Sequence, residues 1–144
     1  MNDLQRNLVD LCRRYGITSL YAFGSRASEI AARVAGGDQV APAHPQSDGD
    51  FAVQVEDSSH LSGFARGGLL MDLEQLFELP RADLVVLNDA DPFIALEAVR
   101  GELLFCTDPD QQAEEELFIL RRAGDLEPFE AERIRLVLAG ELRR

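Results

Sequence analysis

Lysine is absent from this chain: each of its 14 basic residues is an arginine. Chemistry that depends on a lysine is thereby excluded, whether a Schiff base, a Walker A phosphate loop or the strand lysine of protein kinases. Cysteine is scarce. Cys12 and Cys106 stand far apart and outside any CxxC pair, which fits two free thiols in a reducing compartment and not a secreted disulfide scaffold. Positive charge is short as well. With 26 acidic residues the net charge is −12, so the basic face needed for nonspecific grip on a nucleic-acid backbone is missing, and no direct nucleic-acid partner is expected. Apolar runs such as LVVL (84–87) are far too short to span a bilayer. The N-terminal stretch MNDLQRNLVDLCRRYG lacks the basic start and apolar core of a signal peptide. The expectation is a soluble cytoplasmic protein with no membrane partner.

What is present is enough for one globular unit over residues 1–144. Apolar residues make up 46 % of the chain, and a chain of this length buries roughly two thirds of its unfolded surface. Leu4, Leu8, Leu11 and Cys12 share one helical face, with Asn2 or Asp3 as cap and Gly16 as stop. Ile17 to Phe23 reads as a buried strand, and Arg26 to Val34 as a helix. Asp38 to Ser47 holds two prolines and no period, which predicts a loop. Asp50 to Val55 alternates as a second strand that could start at Asp48. Glu56 to Arg66 reads as a polar connection, and Gly68 to Leu79 as a helix stopped by Pro80. A strand over Ala82 to Leu87, a helix over Pro92 to Val99 and a strand over Glu102 to Cys106 follow. Two terminal helices are expected, Asp110 to Arg122 closing near Gly124 and Asp125 to Arg143 with Pro128 in its first turn. The order gives a small domain around a sheet of about four strands flanked by helices, with a core near 17–106 and C-terminal helices near 109–143.

Three features carry chemistry. Gly24-Ser25 stands between a strand and a helix. Glycine there lets backbone approach a ligand, and the helix N-terminus offers free N–H groups suited to phosphate. Asp48 and Asp50 open the second strand in the pattern Asp-Gly-Asp. Side chains two apart point to the same side, roughly 7 Å from one another along the strand. Such a pair repels unless a cation lies between, and hard oxygen ligands select Mg²⁺ or Mn²⁺. Asp83 sits inside the apolar ADLVVL, where burial without a partner is costly. If its strand lies beside that of Asp48 and Asp50, three carboxylates share a site of the kind used in two-metal phosphoryl and nucleotidyl transfer. Arg26, next to Ser25, matches phosphate oxygens bidentately and is a candidate nucleotide ligand.

The segments YAFGSRA (21–27), SDGDFAV (47–53), LEQLFELPRADLVVLNDADP (73–92) and RGELLF (100–105) together resemble the minimal nucleotidyltransferases, the MNT group of the DNA polymerase β superfamily. The resemblance spans about 17–106. It implies an α+β fold of polymerase-β type in which Gly24, Ser25 and Arg26 hold a nucleoside triphosphate. It also implies Asp48 and Asp50 as ligands of two Mg²⁺ ions, with Asp83 binding one metal and helping to activate the incoming hydroxyl. Small members of the group act as antitoxins that transfer AMP from ATP to a tyrosine of a HEPN toxin, and that implied partner and reaction are the leading expectation. Transfer to a small molecule such as an aminoglycoside, or neutralisation of a toxin by binding alone, remain open beside it. One departure stands out: the stretch from Ala27 to Ser47 is roughly twice as long as the group's usual spacing. His44 and His60 have no zinc-type partners in sequence, and the run Glu114 to Glu116 reads as a solvated helix face.

Overall fold

The computed structural model describes residues 1–36 and 45–142. Helix α1 (Asp3–Arg14) starts at a reciprocal cap: the Gln5 N–H donates to the Asn2 side chain at 2.8 Å, and the Asn2 N–H to the Gln5 side chain at 3.0 Å. Gly16, at φ +66°, turns the chain into β1 (Ile17–Phe23). A single 3-10 turn, Gly24–Arg26, leads into α2 (Ala27–Val34). The predicted loop over Asp38 to Ser47 lies mostly outside the described residues, as does His44. Then come β2 (Gly49–Val55), α3 (Phe64–Phe77), β3 (Ala82–Val86), α4 (Pro92–Val99), β4 (Glu102–Cys106) and α5 (Pro109–Leu142).

Two expectations are corrected. Helix α3 begins at Phe64 and not at Gly68. Gly67 and Gly68 read as breakers, yet they sit within the helix, and a side chain at Gly68 would press on the Tyr15 hydroxyl. The two predicted terminal helices are one, since α5 runs unbroken through Gly124 and Pro128. Proline removes one N–H, the partner of the carbonyl four residues back. Here that residue is the exposed Gly124, whose freed carbonyl stays open to solvent, so the lost bond costs less than it would in the core.

The sheet order is β3-β2-β1-β4. β1 runs antiparallel to both β2 and β4, while β2 and β3 are parallel. This mixed sheet flanked by helices is the α+β arrangement that was expected. Strand alternation divides the apolar residues between two layers. On one face Leu20, Ala22, Phe51, Val53 and Leu84 pack with residues of α1, α2 and α3, and Phe51 stacks on Phe77 with ring centroids 5.5 Å apart. On the other, Tyr21 and Ala52 pack with Ala95, Ala98 and Val99 of α4 and Ile119 of α5. Gln112 of α5 donates to the Tyr21 hydroxyl at 2.6 Å, and burial pushes that phenol up to about 12. Cys12 is fully buried, which likewise pushes its thiol up to about 12; both described cysteines are free. No described helix is long and apolar enough to cross a membrane.

Candidate active site

The sequence-predicted acids meet at one end of the sheet, on the α4 face. Asp50 is in phase with Ala52, which packs toward α4, and Asp83 is in phase with Val85, which packs against the same layer. Parallel pairing sets Asp50 directly opposite Asp83, and neighbouring strands are about 4.8 Å apart. Asp48 precedes β2 by one residue. Gly49 between the two acids faces the opposite layer: a β-carbon there would meet Leu79 at 2.5 Å and Phe51 at 3.1 Å. So the Asp-Gly-Asp spacing delivers both carboxylates to one side while the glycine admits Leu79 beneath. Asp48 and Asp50 are half-buried and Asp83 is exposed.

The Gly24-Ser25 turn lies against this cluster. Phe23 pairs with Asp50 across β1 and β2, so Gly24 follows immediately alongside. Its φ is +75°, and a β-carbon on it would collide with Oδ2 of Asp50. Glycine is therefore required twice, by the backbone angle and by the approach of the carboxylate. Ser25 is exposed at the turn, where the first N–H groups ahead of α2 have no intrahelical partners.

Arg26 stands differently from expectation. It is 2 % exposed. Its Nε and Nη2 donate to Glu29 at 3.2 and 2.9 Å, and its Nη1 donates to the Ser47 carbonyl at 3.2 Å. The guanidinium is turned inward and occupied, so it does not project from the turn toward a ligand. Arg66 donates to the Leu84 carbonyl on the outer edge of β3 at 2.5 Å. His60 is exposed and lies 3.5 Å from Asp57.

Electrostatics mark Asp50 as the strained member. Its carboxyl is raised above its ordinary value by burial first, then by the charges of Asp83, Asp48 and Glu97. Among the described residues no arginine pairs with Asp48, Asp50 or Asp83. Glu97, an exposed residue of α4, is the participant that sequence reading missed. The available signal was the burial stripe Ala95, Ala98, Val99, which leaves Glu97 as the polar position one turn before Gly101. That glycine fixes where α4 ends: a β-carbon on it would strike the Ala22 carbonyl and crowd Phe23, which brings the helix end beside the Gly24 turn.

The donor chemistry of the cluster fits a hard divalent cation: oxygen ligands only, neighbouring like charges that raise the Asp50 carboxyl, and, among the described residues, no cationic side chain paired with them. As the side chains stand, no three His, Cys, Asp or Glu residues among those described are gathered tightly enough to close around a metal.

A four-stranded mixed sheet with a glycine turn against a strand-end carboxylate cluster is the frame of a nucleotidyl-transfer protein. Residues 6–110 match the family model "Polymerase beta, Nucleotidyltransferase", and the chain belongs to that family. No curated protein sequence matches significantly. Among solved structures, a toxin–antitoxin complex crystallised with AMP-PNP is similar at 24 % identity and a TM-score of 0.66, over 95 % of this chain and 98 % of that one. A tri-AMPylated Shewanella oneidensis HEPN toxin in complex with MNT antitoxin gives 23 % identity and a TM-score of 0.61, over 96 % of each chain. The toxin–antitoxin MntA–HepT gives 23 % and 0.61, over 96 % of this chain and 97 % of that one. At these identities the likeness is one of fold.

Proposed function

We propose that this nucleotidyltransferase transfers AMP from ATP to a tyrosine hydroxyl of a HEPN-type toxin and so acts as its antitoxin. The observation that carries the reading is the register that sets Asp83 opposite Asp50, with Asp48 on the same side and Gly24 against the Asp50 carboxylate. The similarity to complexes of a toxin with an antitoxin, one holding AMP-PNP and one with an AMPylated HEPN toxin, supports the choice of nucleotide and partner.

In this reading Gly24 and the N–H groups after it cradle the triphosphate, with the Ser25 hydroxyl as a further donor. Asp48, Asp50 and Asp83 would hold Mg²⁺. When bound, the cation supplies neutralisation of the phosphate charge and polarisation at the α-phosphorus. Asp83, the exposed member, would be open to an acceptor and take the proton of the attacking hydroxyl. The new oxygen–phosphorus bond forms in line as the bond to the departing pyrophosphate breaks. The acidic surface suits a basic protein partner and leaves the site dependent on the cation to attract a triphosphate.

Labelled ATP, Mg²⁺ and a HEPN partner test the reading. Label is expected on the partner, and Asp48→Asn with Asp50→Asn is expected to reduce labelling on the order of a thousandfold or more. Chelation of the metal should have the same effect. Label appearing only on an aminoglycoside, or full toxin neutralisation by the double variant, would replace the proposal with small-molecule transfer or with binding alone.

A further inference from the structure

The buried arginine of the turn has no part in the chemistry above, yet it is the most completely enclosed charge described. Arg26 follows Ser25 directly, and Ser47 directly precedes Asp48. The single guanidinium at position 26 bonds the Ser47 carbonyl through Nη1 and both Glu29 oxygens through Nε and Nη2. Glu29 is itself 9 % exposed and lies 3.7 Å from Arg33, whose Nη1 donates to the Phe77 carbonyl at 2.6 Å. The network thus joins the glycine turn, α2, the approach to β2 and the end of α3. It is satisfied throughout: among the described residues no buried side-chain nitrogen or oxygen lacks a partner.

We propose that Arg26 is a positioning residue, a buried clamp that holds the Gly24-Ser25 turn and the Asp48–Asp50 segment at a fixed separation. The inference rests on the proposed nucleotidyl transfer for its purpose, since the two clamped segments are the ones assigned to phosphate and metal. It also accounts for how the chain accommodates its long stretch between Ala27 and Ser47. The Arg26–Ser47 bond closes that stretch at its base, so its length is not passed on to the carboxylates. Arginine is required because one planar fork reaches three acceptors in different directions. A lysine carries the same charge but cannot span Glu29 and Ser47 together. Glu29 fixes the orientation of the fork: without its bidentate acceptor the guanidinium loses the geometry that reaches Ser47.

Arg26→Lys and Glu29→Gln in the full chain separate this role from direct phosphate binding. Hydrogen exchange followed by mass spectrometry reads the clamp without any nucleotide. Each variant is expected to speed exchange about tenfold in both the 24–26 and 47–50 segments, with α4 and β4 unchanged. The double variant should be no faster than the faster single one. In AMP transfer each should lower kcat more than it raises KM for ATP. Exchange left unaltered in the 47–50 segment by either variant overturns the clamp. So does a weaker grip on AMP-PNP in Arg26→Lys with an unchanged or tighter one in Glu29→Gln, the pattern of an arginine touching phosphate. If the unsubstituted protein transfers no AMP, the functional reading fails, and the exchange result still decides the clamp.

Discussion

Gly24 and Asp50 compete for the same space, and each makes the other's demands visible. Gly24→Ala would force a side chain onto the Asp50 carboxylate at a left-handed backbone angle. A loss of about 1–3 kcal/mol is expected, checked by denaturant titration, together with a fall in AMP transfer. Asp50 responds to pH in the opposite sense from a salt-bridged acid. An acid whose folded pKa lies above its unfolded one takes up a proton more readily when folded, so stability is gained as pH falls through that pKa and lost as pH rises. The raised Asp50 carboxyl therefore costs stability at neutral pH. Asp50→Asn is expected to melt a few degrees higher at pH 7, with the difference shrinking in acid; calorimetry at several pH values checks it. An equal or lower melting point at pH 7 would contradict the like-charge account. At this scale the sequence pattern marked Gly24, Ser25, Asp48, Asp50 and Asp83 as candidates. Glu97 and the inward turn of Arg26 escaped it: Glu97 matters through Asp50, far away in the chain, and the Arg26 fork, although anchored on the nearby Glu29, is closed by the Ser47 carbonyl 21 residues on.

Helix α5 divides into two parts with different ties. Ile119 and Ala123 are buried against the body, whereas no described residue from Gly124 to Gly140 is buried. Phe129 is 74 % and Leu136 57 % exposed. A chain ending at residue 124 is therefore expected to melt within about 2–3 °C of the full protein, with the loss showing mainly in far-UV helicity. A large drop would mean that the distal part packs on the core. Two turn-forming residues, Gly124 and Pro128, suggested a break here. Local propensity predicts a break at an interior proline, and an exposed position lowers the cost of the freed carbonyl, leaving the clash of the ring with it. The same reasoning explains α3. Gly67 and Gly68 weaken a helix, but Leu69, Leu73 and Phe77 bury enough surface to hold it.

For the molecule as a whole, a divalent cation is expected to act as a stabilising ligand. Binding only to the folded state at one hundred times its Kd adds about 2.7 kcal/mol. Mg²⁺ or Mn²⁺ should raise the melting temperature of the unsubstituted protein by several degrees, and should leave Asp48→Asn with Asp50→Asn unmoved. Thermal shift measurements with and without a chelator check this.

Composition and period alone settled much about this protein. The lack of lysine, the acid excess, the strand alternation and the Asp-Gly-Asp spacing are local or additive properties, legible one residue at a time. They determined a small domain of helices around a sheet of about four strands, most element positions and which acids share a strand face, while the α+β class was what the resemblance of the motifs implied. The tertiary structure decided the pairing of β2 with β3, which sets Asp83 opposite Asp50, and the folding back of Ser47 onto Arg26. Those depend on contacts between segments far apart in the chain, whose energies are set by packing and register, and no local signal encodes them.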